Sequence, residues 1–282
     1  MILDRDPLDR LRVLTINLWN KQGPWERRRE LLIAGIAALQ PDVIGLQEVL
    51  RHATLNEDQA TDLANALGLP YVAFATAWAI GGGLDFGNAV ISRFPIAARG
   101  DWLLPSIPGE ETRGLLHTGI DTPFGELPFF VTHLAWRLHQ GALRQRQVAF
   151  IAERVAEQST RDKLPAVLVG DFNAEPDSDE MRFLRGHHAI EGKTVAYNDC
   201  FRFCWPHGEP GFTFARRNPF ALRAHEPDRR LDYVLARLPD YELRGEPLAC
   251  RVVLDEADEH GVFPSDHFGV YAELAAAPRK LE

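Results

Sequence analysis

The chain has 282 residues, and 31 Lys plus Arg against 40 Asp plus Glu give it a formal charge of −9. A hydrophobic content of 45% and a charged content of 25% are those of an ordinary soluble globular protein, and no stretch is apolar enough to span a membrane. The acidic balance excludes an overall basic field for displacing phosphate counterions, while leaving room for an acidic site that recruits a cation and, through it, a phosphate.

In chain order, MILDRDPLDR is charged and has no apolar signal core, which predicts no export signal and a cytoplasmic location. Leu11–Trp19 is rich in β-formers and reads as a first strand. Trp25–Gln40 places apolar residues at helical spacing, with Pro41 as a stop; the run Arg27–Arg29 reads as its solvated face. Asp42–Val49 is a short buried strand, and Glu57–Leu69 a second helix. Strand-like runs follow without helices at Tyr71–Thr76, Asn88–Ser92, Gly114–Ile120 and Leu127–Leu134; Gly81–Gly83 reads as a flexible loop. Gln140–Gln158 is an amphipathic helix, with Arg144 and Arg146 on its solvated side. Val167–Gly170 is a strand, and Ser178–Gly186 a short helix that Ser178 caps. Cys200, Cys204 and Cys250 lack a second half at zinc spacing and read as free thiols in a reducing compartment. Strands at Leu231–Ala236, Glu242–Leu248 and His267–Leu274 complete the chain, around the solvated acidic loop Asp255–His260. No repeat or linker interrupts residues 1–282, so one domain is expected. Helices lying between groups of consecutive strands predict two packed sheets with helices outside, rather than the steady β-α alternation of a doubly wound sheet.

Polar residues stand where these strands begin or end, which is where rigid elements present chemistry. Asn17 interrupts the first strand, Glu48 ends LQEV, His133 ends VTHL, and Asp171 and Asn173 end VLVGDFN. Asp232 opens LDYVL, and Asp266 and His267 open SDHFGV. Singly, each has a plain explanation: a turn cap, a solvated strand end, a core histidine, an Asx turn at Asp171–Asn173, or a surface pair of Asp232 with Arg229 or Arg230. Together they supply the parts for metal-assisted cleavage of a phosphate ester.

The ordered set TINLW, LQEV, GNAVISRFPI, VTHL, GDFNAEP, RRLDYVL and SDHFGV, running from about Leu11 to Leu274, resembles the endonuclease/exonuclease/phosphatase superfamily. The set is specific; each piece alone is weak. The resemblance implies an α+β fold, a four-layer αββα sandwich of two mixed sheets flanked by helices, with one active site at the sheet ends. VTHL stands where abasic-site endonucleases carry a tyrosine motif, so His133 resembles the deoxyribonuclease, sphingomyelinase and deadenylase branches.

In that chemistry a Mg²⁺ ion, with Mn²⁺ as substitute, takes oxygen ligands and needs only one or two carboxylates. Glu48 is the first choice of ligand, with Asn17 supporting it through its amide oxygen and Asp266 completing the site directly or through water. Asp171 orients or deprotonates the attacking water, and Asn173 donates to a phosphate oxygen; their two-residue spacing places both on one face if the strand continues. His267 lies against the phosphate with its state fixed by Asp232, and His133 is the second imidazole, donating to the phosphate or leaving group. Asn88 orients His133 or touches phosphate, or else serves a turn. Trp19 and Trp136 form an aromatic rim for a base, sugar or lipid head group, or pack in the core. Arg216, Arg217, Arg229 and Arg230 flank the approach to Asp232 and suit a phosphate-rich substrate. The expected activity is a metal-dependent phosphodiesterase or nuclease, monomeric and without membrane insertion. The alternatives are a sphingomyelinase-like lipid phosphodiesterase, a small-molecule phosphatase and, remotely, a non-catalytic binding protein.

Overall fold

A computed structural model describes residues 9–278 except 56 and 161, so the first eight residues of the charged N-terminal stretch lie outside the described residues. One sheet contains β1 (Arg10–Asn17), β2 (Val43–His52), β4 (Tyr71–Gly81), β5 (Leu84–Ser92), β12 (Pro247–Val253) and β13 (Gly269–Ala275). Their order is β12-β13-β1-β2-β5-β4, with the two-residue β3 (Glu57–Asp58) on β2. The second contains β6 (Ile96–Leu103), β7 (Gly114–Thr122), β8 (Gly125–His133), β9 (Val167–Asp171), β10 (Tyr197–Asp199) and β11 (Asp232–Arg237), in the order β10-β11-β9-β8-β7-β6. Both sheets are mixed: β1 with β2 and β8 with β9 are parallel, and the other neighbours are antiparallel.

Alternation along the strands sorts side chains into layers. Leu14, Ile16 and Ile44 face outward and pack with Leu32 and Ile36 of α1 (Trp25–Leu39) and Leu63 of α2 (Gln59–Leu67). On the other side, Phe130, Leu168 and Leu235 pack with Val148 and Ile151 of α3 (Gly141–Gln158) and Met181 of α4 (Asp179–Leu184). Val13, Val43 and Val90 meet Phe129, Val131, Val167 and Val169 between the sheets. Each such side chain, fully buried, contributes about 1.5–3 kcal/mol. A one-residue slip would turn these residues outward, so this layer fixes the register. The result is the expected sandwich of two mixed sheets flanked by helices.

The same alternation places the polar residues. Leu11, Val13, Thr15 and Asn17 share a face, as do Phe129, Val131 and His133, then Val167, Val169 and Asp171, and in β11 Asp232, Val234 and Ala236. The layer between the sheets is therefore apolar along most of its length and polar at one edge. Gly45 lets the sheets approach: a Cβ there would lie 2.4 Å from Val169 Cγ2 and 2.9 Å from Val131 Cγ2.

Several elements differ from the sequence reading. The strand expected at Glu242–Leu248 lies at Pro247–Val253, because Asp240 accepts the backbone N–H groups of Glu242 and Arg244 and closes a turn first. The edge strand β6, the short β10 and α5 (Cys200–Cys204) were not expected. Gly82 and Gly83, at φ 62° and 84°, form the tight turn of the β4–β5 hairpin rather than a flexible loop. Ser178 stands at the start of α4, but its hydroxyl makes no capping bond. Arg28 and Arg144 are buried rather than solvated. The cysteines are free, as expected.

Candidate active site

Three strands, β1, β8 and β9, end at the polar edge with Asn17, His133 and Asp171, and β11 begins there with Asp232. β2 passes through it at Glu48 and continues to His52, longer than the strand expected to stop at Val49, and Asp266 and His267 lie just before β13. Asp171 is in register with His133 on one side and Asp232 on the other, and Asn17 is in register with Gln47, one residue before Glu48. Glu48 would point outward on a regular strand. A bulge between Leu46 and Val49, with Glu48 at φ 56°, re-aims it. Its carboxylate accepts from Asn17 Nδ2 at 3.4 Å and Asn20 Nδ2 at 3.2 Å.

Asp171 Oδ2 is the centre of the arrangement. Asn17 Nδ2 donates to it at 3.0 Å, His133 Nε2 faces it at 3.4 Å and His267 Nε2 at 3.7 Å. Burial raises the Asp171 carboxyl to about 6, against the opposing charge of His267. His267 Nδ1 contacts Asp232 Oδ2 at 2.8 Å. Burial alone would depress this imidazole, but Asp232 and Asp171 on either side outweigh it and hold it well above the ordinary histidine value. His267 thus lies between two carboxylates that favour its protonated form. Thr213 Oγ1 accepts the Asp232 N–H at 3.1 Å, and Phe214 packs on the His267 ring with centroids 5.0 Å apart.

Asn173 stands in an Asx turn: its φ is 48° and its N–H donates to Asp171 Oδ1 at 2.9 Å. Strand geometry does not continue to it, so the expected common face gives way to a turn. Leu134 O takes one Asn173 amide hydrogen at 3.2 Å and leaves the second.

The Asn17 amide oxygen accepts the Trp19 N–H at 2.9 Å, so its NH₂ group faces the carboxylates. Its Nδ2 contacts the Glu48 and Asp171 carboxylates, and the amide oxygen expected to support a metal is engaged by a backbone N–H. Glu48 and Asp266 are both half-buried, and neither makes an ion pair among the described residues. Burial raises Glu48, and raises Asp266 to about 6 with the Glu48 charge adding to it. Two carboxylates in one field, with hard oxygen donors, fit a Mg²⁺ or Mn²⁺ ion. Asp171, Asp232 and His267 also bring ligand atoms within 4.8 Å of one another.

Other expectations are redirected. Asn88 Nδ2 donates to Gly114 O at 2.9 Å and makes no bond to His133. The half-buried Trp19 ring packs on Phe220 and lies beside the Arg28 guanidinium. Trp136 is 48% exposed beside Arg137. Three of the four arginines near Asp232 are held by acids. Arg230 makes a bidentate pair with Asp199, Arg229 meets Glu175 and Glu226, and Arg217 meets Asp255. Arg216 reaches Glu226 O. Arg216 and Arg217 remain exposed, and Asp232 pairs with His267 rather than with Arg229 or Arg230.

Sequence reasoning missed Arg113, whose Nη1 contacts His133 Nδ1 at 3.2 Å, and Asn218, whose Nδ2 donates to Ser265 O at 2.8 Å and Asp266 O at 3.2 Å. It also missed Arg28, which donates to the carbonyls of Leu18, Trp19, Asn20, Gln22 and Pro264. Asn20 alone left a signal, three residues after Asn17 on the same loop.

Comparison with known proteins agrees with this geometry. An uncharacterized Caenorhabditis elegans protein, F14F9.5, is 24% identical over 301 aligned residues, covering 93% of this chain and 90% of the relative. Nocturnin of Rattus norvegicus is 24% identical over 201 residues, 67% of this chain; the match spans 45% of nocturnin's own length. The crystal structure of an endonuclease/exonuclease/phosphatase from Beutenbergia cavernae superposes with a TM-score of 0.70 at 25% identity, covering 95% of this chain and 72% of that one. Danio rerio TDP2, complexed with a single-strand DNA product, shares the fold with a TM-score of 0.73 at 17% identity, over 94% of this chain and 98% of its own. The sequence pattern of one family matches residues 14–267, nearly the whole chain with every polar strand end except Asp266 and His267 well inside its limits: the chain belongs to the Endonuclease/Exonuclease/phosphatase family.

Proposed function

We propose that this protein is a divalent-metal-dependent hydrolase of phosphate esters, a phosphodiesterase of the nuclease type acting on a nucleic-acid or nucleotide substrate. The observation that carries the reading is Asp171 Oδ2 set among Asn17, His133 and His267, beside a His267–Asp232 pair. With its carboxyl at about 6, Asp171 is ionised at neutral pH and still basic enough to take a proton from an attacking water. The His267 imidazolium sets positive charge where phosphate oxygens gather it, and Asp232 holds that ring in place. The remaining Asn173 amide hydrogen serves a further phosphate oxygen. Glu48 and Asp266 would hold the cation, with Asn17 and Asn20 steadying Glu48. When bound, the cation neutralises charge on the phosphate and leaving oxygens.

A second reading, a lipid phosphodiesterase, rests on the loop just after His133, where Trp136 is 48% and Leu138 61% exposed. The test is a turnover panel with Mg²⁺: bis-p-nitrophenyl phosphate, p-nitrophenyl phosphate, short single-stranded DNA and RNA, supercoiled plasmid and sphingomyelin, each with wild type and His267→Ala. Metal-dependent and His267-dependent cleavage of a diester supports the proposal. Cleavage of sphingomyelin alone selects the lipid reading, and of the monoester alone the phosphatase. No turnover of any substrate with Mg²⁺ or Mn²⁺ sinks the catalytic reading in favour of a binding protein.

A further inference from the structure

The two imidazoles of the site have unlike partners. His267 Nδ1 meets the Asp232 carboxylate, an acceptor, whereas His133 Nδ1 meets Arg113 Nη1 at 3.2 Å. A guanidinium has five N–H donors and no acceptor. In that contact Nδ1 of His133 must therefore accept, and the ring proton must sit on Nε2.

Arg113 is built in rather than loosely placed. It is 4% exposed, its Nη1 pairs with Glu111 Oε1 at 3.0 Å, and its guanidinium lies 5.7 Å from the Phe86 ring centre. The next residue is pinned as well: Gly114 O accepts from Asn88 Nδ2 at 2.9 Å and from Thr132 Oγ1 at 3.2 Å. Asn88, on the opposite sheet, thus acts on the site through the chain at Arg113.

We infer that Arg113 is a positioning residue that fixes His133 as the neutral Nε2–H tautomer, so that His133 donates a hydrogen bond in the site without transferring a proton. The donor role rests on the phosphate-ester reading above; the tautomer does not. Nε2 faces the centre of the site, 3.4 Å from Asp171 Oδ2. Burial, and then the charges of Arg113 and His267, hold the His133 imidazole well below its ordinary range, in keeping with a neutral ring. One imidazole would then bring charge and the other a fixed dipole.

The test is ¹⁵N NMR of the full chain labelled at histidine nitrogens, at pH 7 without substrate, with His133 assigned by its loss in His133→Gln. Wild type should show Nδ1 bare and Nε2 protonated. Arg113→Lys, which keeps a donor, should preserve that single tautomer, and Arg113→Met should lose it with the fold intact by circular dichroism. An imidazolium or an Nδ1–H tautomer in wild type overturns the inference, and this arm holds even if Arg113→Met does not fold. An unchanged tautomer in folded Arg113→Met overturns it too. On the substrate found above, His133→Gln, which retains an N–H donor, should keep a kcat roughly tenfold above His133→Ala. Equal losses in both overturn the donor role. A wild type without turnover overturns that role together with the phosphate-ester reading, while the spectrum still decides the tautomer.

Discussion

Asp232 illustrates how much a single carboxylate can decide. Its Oδ2 holds His267 at 2.8 Å while its Oδ1 has no hydrogen-bond partner. Asp232→Asn keeps the shape but offers neither the charge nor the assured acceptor, so kcat on the substrate should drop by about 10²–10⁴ with little change in melting temperature. A variant with near wild-type kcat would remove Asp232 from the site. His117 has the opposite character. It stacks on Phe130 at 4.6 Å, its Nε2 is buried without a partner, and burial, followed by Lys163, holds it down to about 4. The folded protein therefore keeps this ring neutral, while the unfolded chain takes up its proton below about 6.5. Stability is lost as pH falls from about 6.5 towards 4, on the order of 1–2 kcal/mol by pH 5. His117→Phe keeps the stack and removes the proton. Its melting-temperature advantage over wild type should widen from pH 7.5 to pH 5, and a constant difference would refute the assignment.

Among the elements, α1 does more than cover a sheet. Through Arg28 it gathers five carbonyls, four of them from the loop that carries Asn20 to Glu48. Burial lowers this guanidinium to about 10, which leaves it charged at neutral pH. Arg28→Met should cost about 3–5 kcal/mol in chemical denaturation by stranding those carbonyls. Where the sheets close on each other, Gly45→Val should cost about 1–3 kcal/mol or more by overpacking against Val131 and Val169. It should also lower kcat, because it wedges Asn17 away from Asp171; a stability loss without an activity loss would show that the two sheets adjust independently. The strand ends were legible because a polar residue following alternating apolar ones is conspicuous, as in Val167, Val169, Asp171. Arg113 was not, since GEETRG reads as a solvated loop until folding brings it to His133 from twenty positions away. Arg28 was hidden in a run of three arginines, of which it alone is buried. β6 was missed because an edge strand carries charge on its free side, and IAARGDWL lacks the apolar alternation of a central strand.

For the molecule as a whole, the candidate cation should be felt in folding as well as in turnover. Added Mg²⁺ at 100 times its dissociation constant should stabilise wild type by about 2.7 kcal/mol, and EDTA should reverse the gain. Calorimetric scans of Glu48→Gln and Asp266→Asn should show little of it; an equal gain in both variants would place the ion elsewhere. The site owes its richness to the two parallel pairs. Parallel neighbours run towards the same edge, so β1 with β2 and β8 with β9 bring Asn17, Glu48, His133 and Asp171 together, although β2 continues past Glu48 to His52. Antiparallel β11 begins there with Asp232, and His267 lies two residues before antiparallel β13. β11 then runs six residues, roughly 17–20 Å, to the opposite edge, where the turn beyond it leaves Tyr241 fully exposed. Cys200 and Cys250 are buried, so the thiol of Tyr241→Cys would compete chiefly with the half-buried Cys204 for a reagent. A dye or bead coupled at that corner would hold the protein by its back and leave the mouth turned to solution, ready for single-molecule work on the substrates of the turnover panel.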